Sequence, residues 1–156
     1  MKLVLQRVSA AAVKADGELA GEIAGGLLAL CGVVEGDTEE DARLLAEKTA
    51  KLRIFTDEND KLNLSVQDIK GSVLVVSNFT LGGDCRKGNR PSFAKAAKPP
   101  FSEDLYLLYA DTLRQLGIPT ATGRFGAHME IAMTADGPIT ILLDSGDLKR
   151  PRRQKE

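Results

Sequence analysis

Two nearly continuous apolar runs, Leu27 to Val34 and Val73 to Phe79, constrain this chain more than any other feature. A strand that is apolar at almost every position has no solvated face, so each run belongs inside a sheet covered on both sides. The other extended segments alternate. Leu3 to Val8, Leu62 to Val66 and Met129 to Met133 put apolar side chains at every second position, as half-buried strands do. Asp16-Gly17 is a hairpin signal between an extended Ala11 to Lys14 and a short strand near Leu19 to Ile23. Asp136-Gly137-Pro138 reads as a turn, after which Ile139 to Leu143 returns as a strand.

Helical spacing appears twice. Ala42, Leu45, Ala46, Thr49 and Leu52 predict a helix from about Glu39 to Arg53, opened by a capping box of Thr38 and Asp41. Leu105, Leu108, Tyr109, Leu113 and Leu116 predict a second helix, capped by Ser102 and ended by Gly117. About seven strands and two helices, with hairpins dominating, define an α+β fold. The expected architecture is a mostly antiparallel sheet, curled toward an open barrel, over two helices. A chain of 156 residues with 43% hydrophobic content supports one domain with a real core, placed at residues 1–145. Residues 146–156 turn basic and proline-containing with no apolar face, and are expected to be a mobile tail.

The totals remove several classes of function. A net charge of -1 leaves nucleic-acid contact to local clusters, of which there are two. One is Arg86, Lys87 and Arg90 in the loop Gly82 to Pro100; the other is the tail with Lys149, Arg150, Arg152, Arg153 and Lys155. Aromatic content of 4% without tryptophan disfavours a single-strand binder built on stacking platforms. Cys31 and Cys85 are too far apart in sequence for a short metal spacing, and a single histidine makes a protein metal cage unexpected. No apolar stretch is long enough to span a bilayer, and the alternating start does not resemble a signal peptide. A cytoplasmic protein without cofactor or metal is the expectation.

A nucleophilic triad would need a base, and only His128 is available; as the opening residue of a strand it reads better as a solvent-facing edge residue. Cys85 reads as an exposed loop thiol. Thr80, at the end of a buried strand, has two readings: a hydroxyl bonded to backbone, or one placed with neighbouring amides around an ester carbonyl. Arg7 is either a paired surface group or a fork that holds backbone carbonyls of a neighbouring loop. The basic loop is either solvated or a phosphate contact.

Two runs, Ser77-Asn78-Phe79-Thr80 and Gly137-Pro138-Ile139-Thr140, then join Leu5-Gln6-Arg7-Val8, Gly71 to Ser77, Arg90-Pro91-Ser92-Phe93 and Thr122 to Ala127. In this order they resemble the D-aminoacyl-tRNA deacylases of the bacterial and eukaryotic type, from Met1 to about Ser145. The resemblance implies a carboxylic ester hydrolase, a homodimer that frees tRNA from a D-amino acid, and from glycine mischarged on it. It implies that Ser77, Asn78, Phe79 and Thr80 surround the scissile ester, with the amides of Phe79 and Thr80 at the oxyanion. It implies a cis Gly137-Pro138 pair that reaches into the partner's pocket, excludes L-aminoacyl groups, and is held across the interface by Arg7. Ile139 and Thr140 complete that corner. The chain departs from the family at Asn78 (usually Gln), Ala135 (usually Asn) and His128 (usually Asp). Remaining alternatives are a sibling deacylase for L-mischarged tRNA, a non-catalytic nucleic-acid-binding module and a Cys85-dependent hydrolase.

Overall fold

The computed structural model describes residues 1–152, so Arg153 and Lys155 of the basic tail lie outside the described residues. The chain opens with one long strand, β1 (Lys2–Ala15), and continues through β2 (Glu18–Ile23) and β3 (Gly26–Gly32). After α1 (Glu39–Lys51) come the short strands β4 (Phe55–Thr56) and β5 (Leu62–Leu64), then β6 (Ser72–Ser77). A 3-10 turn (Phe79–Gly82) and a long loop lead to α2 (Phe101–Gln115), β7 (Thr120–Thr122), β8 (Met129–Asp144) and α3 (Ser145–Lys149).

The main sheet has the order β2-β1-β3-β6-β7, with β8 on the other edge of β1. Pairing is antiparallel around β1, whereas β3, β6 and β7 run parallel because α1 and α2 supply the crossovers between them. The apolar runs behave as expected of strands buried on both faces. Leu27, Ala29 and Cys31 of β3, with Val73 and Val75 of β6, face a core closed by the two helices. Leu28, Leu74 and Val76 point the other way, into a smaller cluster with Val8, Ala11 and Val13 inside the curl of the sheet. The curl brings β2 against β7: a Cβ added at Gly21 would stand 2.7 Å from the Thr122 carbonyl oxygen, so only glycine permits this approach.

Three expectations need correction. Gly137-Pro138 does not reverse the chain. Ala135 pairs with Val8 and Thr140 with Gln6, antiparallel on both sides of a register shift, so β8 runs on in the same direction and the intervening residues bow out opposite Arg7. The corner is a bulge in a continuous strand. Ser102 is not the cap of α2, because the loop has already begun to turn: Ser102 N–H donates to Lys98 O and Asp104 N–H to Pro100 O. A third helix follows β8, one more than the two expected. The Asp144 carboxylate caps it by accepting from Gly146 N–H at 2.8 Å, and Leu148 packs on the core. Lys149 Nζ lies 2.9 Å from Asp41 Oδ1. Burial alone would raise the Asp41 carboxyl, but hydrogen bonds from Ser145, Lys149 and Thr38 outweigh it and hold the group well below the usual carboxylate range. The predicted capping box of α1 is present, with Thr38 N–H donating to Asp41 Oδ2 at 2.8 Å.

Candidate active site

Strand β6 is anchored by its apolar pairs in the middle of the sheet, and the chain leaves it at Ser77 into the 3-10 turn. Asn78 N–H donates to Cys31 O at 2.8 Å, which ties the exit to β3. The turn then aims two backbone donors outward: among the described residues the amides of Phe79 and Thr80 have no intramolecular acceptor. Phe79 is 59% exposed and meets Phe93 edge-on, with ring centroids 5.3 Å apart. Beside these groups lies a cavity of about 500 Å³. Ser77, Asn78, Phe79, Phe93, Lys98 and Tyr106 contribute to its walls.

Thr80 is exposed next to the cavity, and its hydroxyl donates to Asn78 Oδ1 at 2.5 Å. An amide oxygen does not remove a proton at neutral pH, so this contact orients Thr80 without activating it. No histidine or carboxylate lines the cavity among the described residues. Burial pushes the Cys31 thiol up to about 12, and burial likewise pushes Tyr106 up to about 12, its hydroxyl donating to Val75 O at 3.2 Å. His128 is exposed at the start of β8 and does not line the cavity. Cys85 is exposed in the loop and stands apart from the cavity as well. Ser102, displaced from the cap position, lines the cavity with a buried Oγ that has no partner among the described residues.

The second run forms a separate site. Gly137, Pro138, Ile139 and Thr140 do not line the cavity of their own chain. The Gly137-Pro138 peptide is cis and Gly137 has φ of 127°. A Cβ there would meet Ile139 N and Cγ1 at 2.9 Å, so the corner is closed to any other residue without rearrangement. Thr140 Oγ1 donates to Gln6 Oε1 at 2.8 Å, securing the far side of the bulge to β1. Arg7 is buried to 7% exposure and bonds to three groups of its own chain. Nε donates to Asp136 O at 3.1 Å and Nη1 to Ile54 O at 3.0 Å and Thr56 Oγ1 at 3.2 Å. In the basic loop, the Arg86 fork closes on Asp84, with Nη2 to Oδ2 at 2.6 Å, and holds the Asp84 carboxyl well below the usual range. Lys87 and Arg90 are exposed.

The sequence did not reveal Ser102, Lys98, Ile54, Thr56 or Asp136 as neighbours of these sites. Only Asp136 left a signal, an acidic residue at the corner opposite a strand arginine.

A curled α+β sheet whose strand end offers two backbone donors, beside a cavity walled by no histidine or carboxylate among the described residues, fits a class of hydrolase. The model of the family described as D-Tyr-tRNA(Tyr) deacylase matches residues 4–144. The chain belongs to that family. It is 54% identical over 145 residues to a D-aminoacyl-tRNA deacylase of Halalkalibacterium halodurans, covering 93% of this chain and 99% of that one. It is 53% identical over 154 residues to a D-aminoacyl-tRNA deacylase of Roseiflexus sp., covering 99% of each chain. Among solved structures, one named c-Myc DNA Unwinding Element Binding Protein superposes with a TM-score of 0.87 at 37% identity, over 92% of this chain and 98% of that one. A probable eukaryotic D-amino acid tRNA deacylase shares the fold, with a TM-score of 0.78 at 16% identity over 91% and 97% of the chains.

Proposed function

We propose that this protein hydrolyses the ester bond of D-aminoacyl-tRNA in the cytoplasm, and that of glycine mischarged on tRNA, acting as a homodimer. The observation that carries this reading is the pair of unpartnered amides, Phe79 and Thr80, beside a cavity with no histidine or carboxylate in its walls among the described residues. Water adds to the carbonyl carbon, and the carbonyl oxygen becomes an oxyanion that accepts from those two N–H groups. The C–O bond to the 3′ oxygen then breaks, and that oxygen leaves with a proton as free tRNA. The 2′-hydroxyl of the terminal nucleoside, not a protein side chain, assists the water, since Thr80 has no base to activate it. Lys87 and Arg90 are the cations offered to tRNA phosphates; Arg86 is engaged by Asp84.

The corner at Gly137 and Pro138 belongs to a neighbouring subunit's cavity, where its rigid main chain clashes with an L side chain and tolerates hydrogen. Strand β8 favours such an arrangement. Among the described residues it pairs with β1 alone, and Ile131, Met133 and Leu142 are 38%, 48% and 75% exposed on it. An open strand edge with exposed apolar side chains is a surface that a second copy covers. Met133→Asp is therefore expected to shift the protein from dimer to monomer in sedimentation velocity and to remove activity with it. A monomer that retains full activity would disprove the shared site.

The deciding assay is deacylation of D-Tyr-tRNA and L-Tyr-tRNA by the purified protein. Selective loss of the D-ester is expected, by at least about a hundredfold in rate, which corresponds to roughly 2.7 kcal/mol. Cleavage of the L-ester alone would assign the protein to L-mischarged tRNA. Cleavage of neither, with tRNA still bound, would leave a nucleic-acid-binding protein on this fold.

A further inference from the structure

The corner is held by a part of the chain some eighty residues away in sequence. Arg7 stands between the bulge of β8 and the short strand β4, and its planar fork addresses both sides at once. On the corner side, Nε donates to Asp136 O and lies 3.3 Å from the Asp136 carboxylate. A Cβ at Gly137 would be 3.4 Å from Nη2, so the guanidinium lies directly against the corner. On the opposite side, Nη1 is held by Ile54 O and Thr56 Oγ1. That anchor is itself stiff: the turn between β4 and β5 is tied by Asp57, whose Oδ1 accepts from Asn59 N–H at 2.9 Å and Lys61 N–H at 3.0 Å. A buried guanidinium follows its acceptors, because an unmade hydrogen bond there is costly.

We propose that Thr56 and Asp136 are positioning residues for chiral selection, acting through Arg7 on the Gly137-Pro138 corner. The inference rests on the deacylase reading above. Thr56 fixes where the fork can stand, and Asp136 binds the corner to it by carbonyl and carboxylate together. Rejection of an L side chain depends on main-chain atoms holding their place within a few tenths of an ångström. Loosening the fork relaxes that rejection first, while the D-ester, which meets no clash, is cleaved as before.

The test compares rates on D-Tyr-tRNA and L-Tyr-tRNA for the full-length protein and for Thr56→Val, Thr56→Ser and Asp136→Asn. Thr56→Val keeps the shape and removes the acceptor. It is expected to raise L-ester cleavage and lower the D-to-L ratio at least fivefold, with D-ester cleavage within threefold of the parent. Asp136→Asn lowers the ratio in the same sense, and Thr56→Ser restores it to within twofold. A role confined to folding would lower both rates together and leave the ratio untouched. An unchanged ratio in Thr56→Val with D-cleavage intact overturns the proposal; should that variant not fold, Thr56→Ala removes the same oxygen and is read the same way. If the parent protein cleaves neither ester, the deacylase reading fails separately. The clamp is then judged by hydrogen exchange of the Arg7 Nε proton: faster exchange in Thr56→Val supports it, and unchanged protection disproves it.

Discussion

Gly137→Ala is expected to lower the ratio of D- to L-ester cleavage at least tenfold while the protein remains folded. The substituted Cβ would stand 2.9 Å from Ile139 N, and φ of 127° is a conformation that L-residues rarely adopt. Strain of this kind costs roughly 1–3 kcal/mol. The corner is exposed on the outside of β8, so the bulge relieves that strain by moving, and the domain need not unfold. For a chain of this size 1 kcal/mol lowers the melting temperature by about 2–4 °C, so the change in stability stays small. The movement reaches selection because Gly137 sits against Arg7, and both the fork and the carbonyls must shift together. Initial rates on matched D- and L-tyrosyl esters, with a melting curve, measure the two effects separately. A tenfold loss on both esters at a constant ratio would mean that the corner builds the pocket but does not choose the enantiomer.

What could be read before the fold was known follows from which interactions leave a local mark. The double-sided burial of β3 and β6 is written into their composition, and the capping box at Thr38 and Asp41 into four consecutive positions. The strand exit at Ser77 to Thr80 was also legible, because a buried run that stops abruptly must present its last residues somewhere. The direction of β8 was not. Asp136-Gly137-Pro138 has the chemistry of a turn, and what prevents reversal is β1 pairing on both sides of it, more than a hundred residues away in sequence. For Arg7 the sequence offered a fork on backbone carbonyls but not which ones: its acceptors at Ile54 and Asp136 carry no pattern that connects them to a first-strand arginine. The third helix was missed differently. Asp144 is a good cap, but with Leu148 as its one core contact the segment has no apolar stripe to find. The Asn78 side chain accepts from the Thr80 hydroxyl two residues on, a short-range contact that the sequence did not distinguish from a substrate contact.

The amides beyond Ser77 make the stronger claim about chemistry, and they can be removed one at a time. Phe79→Pro deletes the Phe79 N–H, and proline is well suited to the opening position of a helical turn. Asn78 before it has φ of -148° and ψ of 88°, outside the α region that a following proline disfavours. Phe79→Ala removes the same ring, with its contact to Phe93, and keeps the donor. The comparison therefore isolates one hydrogen bond. Loss of a single oxyanion donor costs about 10²–10³ in turnover, so Phe79→Pro is expected to fall that far below Phe79→Ala in kcat, with KM little changed. Thr80→Ala, which keeps its amide and loses only the hydroxyl bonded to Asn78, is expected to lose no more than about tenfold, since a weak hydroxyl nucleophile without a base contributes little. The reverse order, with Thr80→Ala inactive and Phe79→Pro equal to Phe79→Ala, would transfer the reaction from the main chain to the threonine side chain. It would also oblige a group other than Cys31 or Tyr106 to take the threonine proton, because neither is poised to accept one near neutral pH.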